Sequence, residues 1–161
     1  NTVSKSIESF KGYPIKLLTI HLSGGSSMIK SALVSSKSIN AKCIGVSILT
    51  SINEEESKEV YNQEIPKTVS SMFNLANETD IDGVVCSPHE LKLAGNLLQD
   101  KIKITPGIRL SDSNSDDQSR VMNPKEAIDL GATYLVIGRP ITSHKDKASA
   151  FEKIYQSIYE E

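Results

Sequence analysis

A segment near the end of the chain combines glycine with arginine in a way that suits phosphate binding. Gly138 ends the apolar run Tyr134 to Ile137, and Arg139 follows it directly. A glycine lets a backbone N–H group approach a ligand, and a guanidinium matches the oxygens of a phosphate. In an isolated Gly-Arg-Pro segment we favour the plainer alternative, a turn glycine and a solvated arginine, because short motifs often match by chance.

The three histidines are the other candidates for chemistry near neutral pH. His21 follows an apolar run and could border a site, although we favour a hydrogen-bonded structural histidine. His89 and His144 lie in polar segments, where we expect them to be solvated. No group of His, Cys, Asp and Glu has metal-ligand spacing, and no dinucleotide fingerprint occurs. The sequence therefore predicts neither a metal nor a cofactor.

The composition of the chain argues against nucleic-acid-binding and membrane-spanning proteins. The chain has 161 residues and a net charge of -2, and 38% of its residues are hydrophobic, which gives no sign of nucleic-acid binding. It has no apolar stretch of about 18 residues, so no membrane span is expected. Cys43 and Cys86 lie inside apolar runs, which indicates buried, reduced thiols and hence a cytoplasmic protein.

The elements that must position these residues follow from hydrophobic periodicity. Short continuous apolar runs predict five buried strands, at 15–20, 41–49, 81–86, 103–106 and 134–137. Helical spacing and capping residues predict helices at 2–10, 26–35, 65–78, 88–98, 124–130 and 147–159. The acidic run Glu54-Glu55-Glu56 is interpreted as a solvated helix start, where carboxylates complement the helix dipole.

Alternation of strands and helices indicates βαβ units, a parallel α/β sheet and a single domain over residues 1–161. Two architectures fit, an open doubly wound sheet or a (β/α)8 barrel. Five strands are three short of a barrel, so periodicity alone favours the open sheet.

Sequence motifs reverse that choice. The segments TPGIR, DDQSR, NPKEA and GATYLVIGRPIT occur in the order in which orotidine 5'-phosphate decarboxylases have them, and the chain resembles that family. The resemblance continues upstream through IHLSGGSSMIKSA, GVSILTS and DGVVCSPHE. At the start of the chain, Asn1-Thr2-Val3 resembles the residues directly after the family's Asp-x-Lys-x-x-Asp-Ile-Pro signature. The resemblance implies a (β/α)8 TIM barrel, here incomplete, with strands four to eight and their helices.

The resemblance also implies a substrate site without cofactor. Gly138 and Arg139 would hold the nucleotide phosphate, and Arg109 and Gln118 would belong to the loop that closes over it. Asp116 stands where the family usually has glycine, and an Asp at this position would stiffen or shift the loop that contains Gln118. Thr50 or Ser51 would face the pyrimidine, and Thr2 would reach the partner's site across a homodimer interface.

Catalysis in the family uses a lysine ammonium and flanking carboxylates that lie just before the position of Asn1. This sequence contains no Asp-x-Lys-x-x-Asp, so we expect no catalytic residue within it. The implied function is decarboxylation of orotidine 5'-monophosphate to uridine 5'-monophosphate, as part of a longer protein. The alternative is a truncated, inactive fragment that binds a nucleotide phosphate or self-associates. On either interpretation residues 1–161 alone are expected to be inactive.

Overall fold

The structure is a computed structural model that describes residues 1–110 and 122–159, in which strands and helices alternate. The strands are β1 (Leu17–His21), β2 (Lys42–Val46), β3 (Gly83–Val85), β4 (Ile102–Thr105) and β5 (Tyr134–Leu135). The helices are α1 (Thr2–Glu8), α2 (Gly25–Ser38), α3 (Glu54–Tyr61), α4 (Ile65–Glu78), α5 (Leu91–Leu97), α6 (Pro124–Asp129), α7 (Arg139–Thr142) and α8 (Lys147–Gln156). Short 3-10 turns at Leu22–Gly24 and Pro88–Glu90 precede α2 and α5.

All five strands are parallel, and their order in the sheet is their order in the chain, β1-β2-β3-β4-β5. A doubly wound sheet reverses direction after its first strands, so that strands adjacent in the chain are separated in the sheet. The consecutive order contains no such reversal within the described residues. It therefore argues against the open doubly wound alternative and is consistent with part of a (β/α)8 barrel.

Helices α1, α2, α4, α5 and α6 pack on one face of the sheet. Strand residues of that face, such as Leu18, Ile20, Cys43 and Val84, share a hydrophobic core with helix residues, of which Phe73 is completely buried. We call the other face of the sheet the open face. Its side chains lie outside that core within the described part of the chain, and they are Leu17, Thr19, His21, Lys42, Ile44, Val46, Val85, Ile102, Ile104 and Tyr134.

Helix starts follow the predicted capping. The Asn53 side chain accepts a hydrogen bond from the Glu56 N–H at 3.0 Å, and the Glu56 carboxylate accepts one from the Asn53 N–H at 2.9 Å. This capping box starts α3 and confirms the acidic run as a helix start. Asn123 and Glu126 form the same box at α6. The predicted helix from Pro88 begins instead as a 3-10 turn before α5 continues it.

Two contacts fix β3 between its neighbours. One Asp82 carboxylate oxygen accepts from the Cys43 N–H at 2.9 Å, and the other accepts from Lys42 Nζ at 2.9 Å. Gly83 lies so close to β4 that an added Cβ would come within 2.4 Å of the Ile102 carbonyl oxygen. The absence of a side chain at residue 83 therefore permits the two strands to pair at this point.

Candidate functional site

The carboxyl edge of the sheet brings two of the predicted phosphate-binding segments side by side. β4 and β5 are neighbours, and the Val136 N–H donates to the Thr105 carbonyl at 2.9 Å just where the strands end. Arg109 lies four residues beyond β4, and Gly138 lies three residues beyond β5. Ligands of parallel α/β folds bind at this edge, so the segments after β4 and β5 are placed to contact the same ligand.

Arg109 stands at a point where the chain returns on itself. Its N–H donates to the Met122 carbonyl at 3.0 Å, and Ile108 and Met122 form an isolated parallel bridge. Gly107 makes this turn at a φ of +79°, a conformation that favours glycine. The half-buried Arg109 guanidinium donates to the Ile108 carbonyl at 3.0 Å. Gln118, which was predicted to act with Arg109, lies outside the described residues.

Gly138 and Arg139 form the start of the short helix α7. The Gly138 carbonyl accepts from the N–H groups of Ile141 and Thr142 at 2.9 and 3.0 Å, which fixes the backbone. A Cβ added at Gly138 would meet no atom within 4 Å, so the space beside this backbone is open. Arg139 is exposed. The first residues of α7 therefore present an accessible backbone and an exposed guanidinium at the carboxyl edge.

Thr50 and Ser51 lie beyond β2 on the same edge, two strands away from β4. Thr50 is half-buried and Ser51 is exposed. The turn before them is held by Ser47, whose N–H and hydroxyl both donate to the Val85 carbonyl, at 3.2 and 3.0 Å. The structure places these two hydroxyls on the predicted edge without contact to the Gly138 segment.

Thr2 lies at the far end of this edge. It is exposed at the start of α1 and lines a cavity of about 350 Å³ between α1, β1 and α2. Thr19 and His21 of β1 line the same cavity. Thr19 had no predicted role, although the alternation of side chains in LLTIH could have indicated that it shares a face with His21. The expectation of a hydrogen-bonded structural histidine is wrong for the described residues, since His21 is exposed and its ring has no hydrogen-bond partner among them.

The two thiols are buried and unpaired, as predicted. Burial raises the pKa of Cys43 to about 11, and the nearby Asp82 carboxylate adds to the effect. Burial also raises the pKa of Cys86 to about 12, with a contribution from the Glu90 carboxylate. Both are therefore protonated at neutral pH and unsuited to nucleophilic chemistry.

Two other classes of site are absent from the described parts of the chain. No cluster of three or more His, Cys, Asp or Glu residues that could hold a metal ion occurs there. Nor does any described helix have the length and apolar character needed to cross a membrane.

Comparisons with known proteins agree on one family. A family model described as "Orotidine 5'-phosphate decarboxylase / HUMPS family" matches residues 1–154. A relative from Staphylococcus saprophyticus named orotidine 5'-phosphate decarboxylase is 40% identical over 162 residues, which cover 98% of this chain and 70% of the relative. One from Ehrlichia chaffeensis with the same name is 43% identical, with 98% and 69% covered. The crystal structure of orotidine 5'-phosphate decarboxylase from Lactobacillus acidophilus superposes with a TM-score of 0.83 at 31% identity, covering 99% of this chain and 70% of that one.

Proposed function

The chain belongs to the orotidine 5'-phosphate decarboxylase / HUMPS family, and from this premise we propose that it serves to decarboxylate orotidine 5'-monophosphate to uridine 5'-monophosphate in pyrimidine biosynthesis. The main support for the proposal is that two relatives, 40% and 43% identical to this chain, are named orotidine 5'-phosphate decarboxylase. The same comparisons give no support to the alternative of a non-catalytic binding fragment.

The phosphate is proposed to bind where β4 and β5 end. Gly138 leaves open space beside the backbone, and the exposed Arg139 supplies a charged donor for the phosphate oxygens. Arg109 lies on the neighbouring strand end, where Gln118 would join it from the segment that begins there. These four residues would hold a phosphate by hydrogen bonds that keep the nucleotide in one orientation.

The pyrimidine is proposed to lie over the open face, toward Thr50 or Ser51. The distance along the edge from β5 to β2 spans three strand spacings of about 4.8 Å each, which is enough for a ribose and a base. The apolar side chains beneath, including Val46 and Val85, would exclude water from the reacting ring.

The five strands are proposed to be strands four to eight of a (β/α)8 barrel, within the single domain of residues 1–161. Two observations support this. Among the described strands, β1 pairs only with β2 and β5 only with β4, so each has an edge available for a further strand. The chain also spans about 70% of the relatives that it matches. Three further βα units between β5 and β1 would close the barrel and cover the open face.

Carbon–carbon cleavage is proposed to depend on residues outside this sequence. In decarboxylation the bond to the carboxylate breaks, CO2 leaves, and the ring carbon takes a proton. The sequence lacks the Asp-x-Lys-x-x-Asp motif that the family uses for this transfer. Binding groups alone stabilise the substrate and the transition state about equally, which does not accelerate the reaction. We therefore expect no turnover from residues 1–161 alone.

The proposal also includes a homodimer and a cytoplasmic location. Thr2 is exposed at the start of α1, which is compatible with its proposed contact to a partner's site in a homodimer. Light scattering that gives a monomer at all micromolar concentrations would contradict the dimer. The unpaired Cys43 and Cys86 support a reducing compartment, which we take to be the cytoplasm.

Titration calorimetry with uridine 5'-monophosphate tests the phosphate assignment. Arg139→Ala should weaken binding by about 1.5–3 kcal/mol, the contribution of a hydrogen bond to a charged group. Lys37→Ala is a matched control, because Lys37 is an exposed cation in the last turn of α2, near Asp80, which precedes β3 at the opposite edge of the sheet. Equal affinities of the parent protein and Arg139→Ala would refute the assignment.

The activity is tested with a chain in which the upstream segment of the S. saprophyticus relative is fused before Asn1. Loss of the orotidine absorbance is expected with the fused chain and not with residues 1–161. Turnover by residues 1–161 would contradict the proposed dependence on residues elsewhere.

A further inference from the structure

Two exposed lysines follow the proposed phosphate-binding residues closely along the chain. Lys145 and Lys147 form no ion pair with a carboxylate among the described residues. Together with Arg139 they give residues 139–147 three cations against one anion, Asp146, whereas the whole chain carries a net charge of -2. Positive charge is therefore concentrated here in a chain that is acidic overall. We call Lys145 and Lys147 the lysine pair.

The fold places the lysine pair at the carboxyl edge of the sheet. In a parallel α/β fold the chain leaves each strand at this edge and the following helix returns from it. Helix α8, which begins at Lys147, is the helix that returns from the edge beyond β5. The turn before it is fixed, because the Ser143 N–H donates to the Arg139 carbonyl at 3.1 Å and the Ser149 N–H donates to the Asp146 carboxylate at 2.9 Å. The lysine pair thus belongs to a short, hydrogen-bonded stretch that begins at the proposed phosphate site.

Local structure does not account for the charge of the lysine pair. Lys147 is the first residue of α8, where the helix dipole disfavours a cation, and the first turn of this helix contains no acidic residue. The acidic first turn of α3, by contrast, complements its helix dipole beyond β2. Within the described part of the chain, the carboxyl edge is therefore positive beyond β5 and negative beyond β2. Cations that oppose the helix dipole indicate a role toward a ligand rather than in folding.

We propose that the lysine pair attracts the phosphate of the nucleotide to its site and selects ligands by their negative charge. The pair would act through the electric field at the carboxyl edge, beyond the direct contacts proposed for Gly138 and Arg139. A phosphate monoester carries a charge of nearly -2 at neutral pH, and charges of opposite sign around a site raise the local concentration of such a ligand. The inference rests on the proposed function, since it takes the ligand to be a nucleotide monophosphate bound beyond β5.

The size of the effect follows from the charges. For two ammonium groups on the order of 10 Å from a dianion, Coulomb attraction in water corresponds to about fivefold to tenfold higher affinity at about 10 mM ionic strength, where the Debye length is about 30 Å. At about 1 M ionic strength the Debye length is about 3 Å, and the contribution should vanish. A direct hydrogen bond to the phosphate would depend much less on salt. Dependence on ionic strength therefore distinguishes the field of the lysine pair from direct contact.

Titration calorimetry with uridine 5'-monophosphate at these two ionic strengths tests the proposal on the 161-residue chain. The double variant Lys145→Gln with Lys147→Gln removes both charges. Lys30→Gln with Lys37→Gln is the matched control, because both are exposed cations on α2, which follows β1 at the other end of the sheet. Uridine has the same base and ribose without the phosphate, so it reports any change in the shape of the site. Residues 111–121 are the same in every variant and do not contribute to the differences.

We expect the variant without the lysine pair to bind uridine 5'-monophosphate about fivefold to tenfold more weakly than the parent at about 10 mM ionic strength and equally well at about 1 M. The control should stay within about twofold of the parent at both. Lys145→Arg with Lys147→Arg should keep the parent's affinity, because it keeps the charge. Equal affinities of the lysine-pair variant and the control at low ionic strength would overturn the proposal. A loss that is the same at both ionic strengths, or the same for uridine, would also overturn it, because it would indicate a structural role.

The same measurements separate this inference from the proposed function. A parent chain that does not bind uridine 5'-monophosphate would refute the phosphate site and the inference together. Binding that does not respond to the lysine pair would refute only the electrostatic attraction. Salt-dependent attraction together with an inactive fused chain would refute only the decarboxylation.

Discussion

Replacement of Gly138 by alanine tests ligand binding at the carboxyl edge with only a small expected effect on folding. An added Cβ would meet no protein atom within 4 Å, and the φ of -100° lies outside the positive range that favours glycine. We therefore expect the free energy of unfolding to fall by no more than about 1 kcal/mol, or about 4 °C in Tm. The methyl group would instead occupy the space through which a phosphate oxygen approaches the backbone.

The expected loss of affinity follows from the contact that the methyl group blocks. A hydrogen bond to a charged group contributes about 1.5–3 kcal/mol, which corresponds to a weakening of roughly 10-fold to 150-fold. Titration calorimetry with uridine 5'-monophosphate, and separately with inorganic phosphate, measures this loss. Both ligands should be affected alike if the blocked contact is to the phosphate.

Gly95 offers a matched control on α5. A Cβ there also meets nothing within 4 Å, but the residue lies in a helix away from the proposed site. Gly95→Ala should raise the Tm by about 1–4 °C, through the higher helix propensity of alanine, and leave affinity unchanged. If Gly138→Ala binds both ligands as the parent does, the assignment of this backbone to the phosphate is refuted.

Other predictions concern stability. Gly83→Ala should lower the free energy of unfolding by about 1–3 kcal/mol or more, because the added Cβ would lie 2.4 Å from the Ile102 carbonyl oxygen. Denaturant melts measure this loss, and an unchanged free energy of unfolding would contradict the close approach of the two strands. Asp82→Ala should lower the free energy of unfolding by about 2 kcal/mol, because the hydrogen bond from the Cys43 N–H is lost. Lys42→Met should lower it much less, because the Lys42 side chain is 61% exposed. Equal losses in the two variants would refute the larger contribution of the Cys43 contact. The folded-state pKa of Cys43 is raised from 9.0 to about 11, so its thiol contributes stability below pH 9 that is lost as the pH rises toward 11. Melts from pH 8 to 11 should show this loss, and Cys43→Ala should reduce the slope; equal slopes would contradict it.

Hydrophobic periodicity located all five strands because each is a short apolar run between turn residues. Their ends were less predictable. The run 41–49 continues past the last paired residue, Val46, and Leu49 is 47% exposed although the sequence gives no break before it. The four-residue helix α7 was not predicted, since a single turn has no periodicity to detect. Strand ends depend on where a neighbouring strand stops pairing, which a local pattern does not contain.

The order of the strands could not be derived from periodicity, because an open sheet and a barrel have the same alternation of elements. Sequence motifs resolved this by resemblance, and the consecutive pairing β1 to β5 then provided independent support. The same limit applies to the site. The positions of Gly138 and Arg139 after a strand could be read from the chain, but their proximity to Arg109 depends on the pairing of β4 with β5.

Consecutive pairing has a consequence for how the chain acquires its structure. Each strand pairs only with its neighbours in sequence, so the paired residues of the described strands are 19 to 39 positions apart. Loop closure over these separations costs less entropy than a pairing between the two ends of the sheet would, which favours addition of one βα unit after another. Only the pairing of β5 with the first strand of a closed barrel would join distant segments. That ring closure is therefore expected to be the slow step, and a partly folded sheet with both edges exposed would precede it.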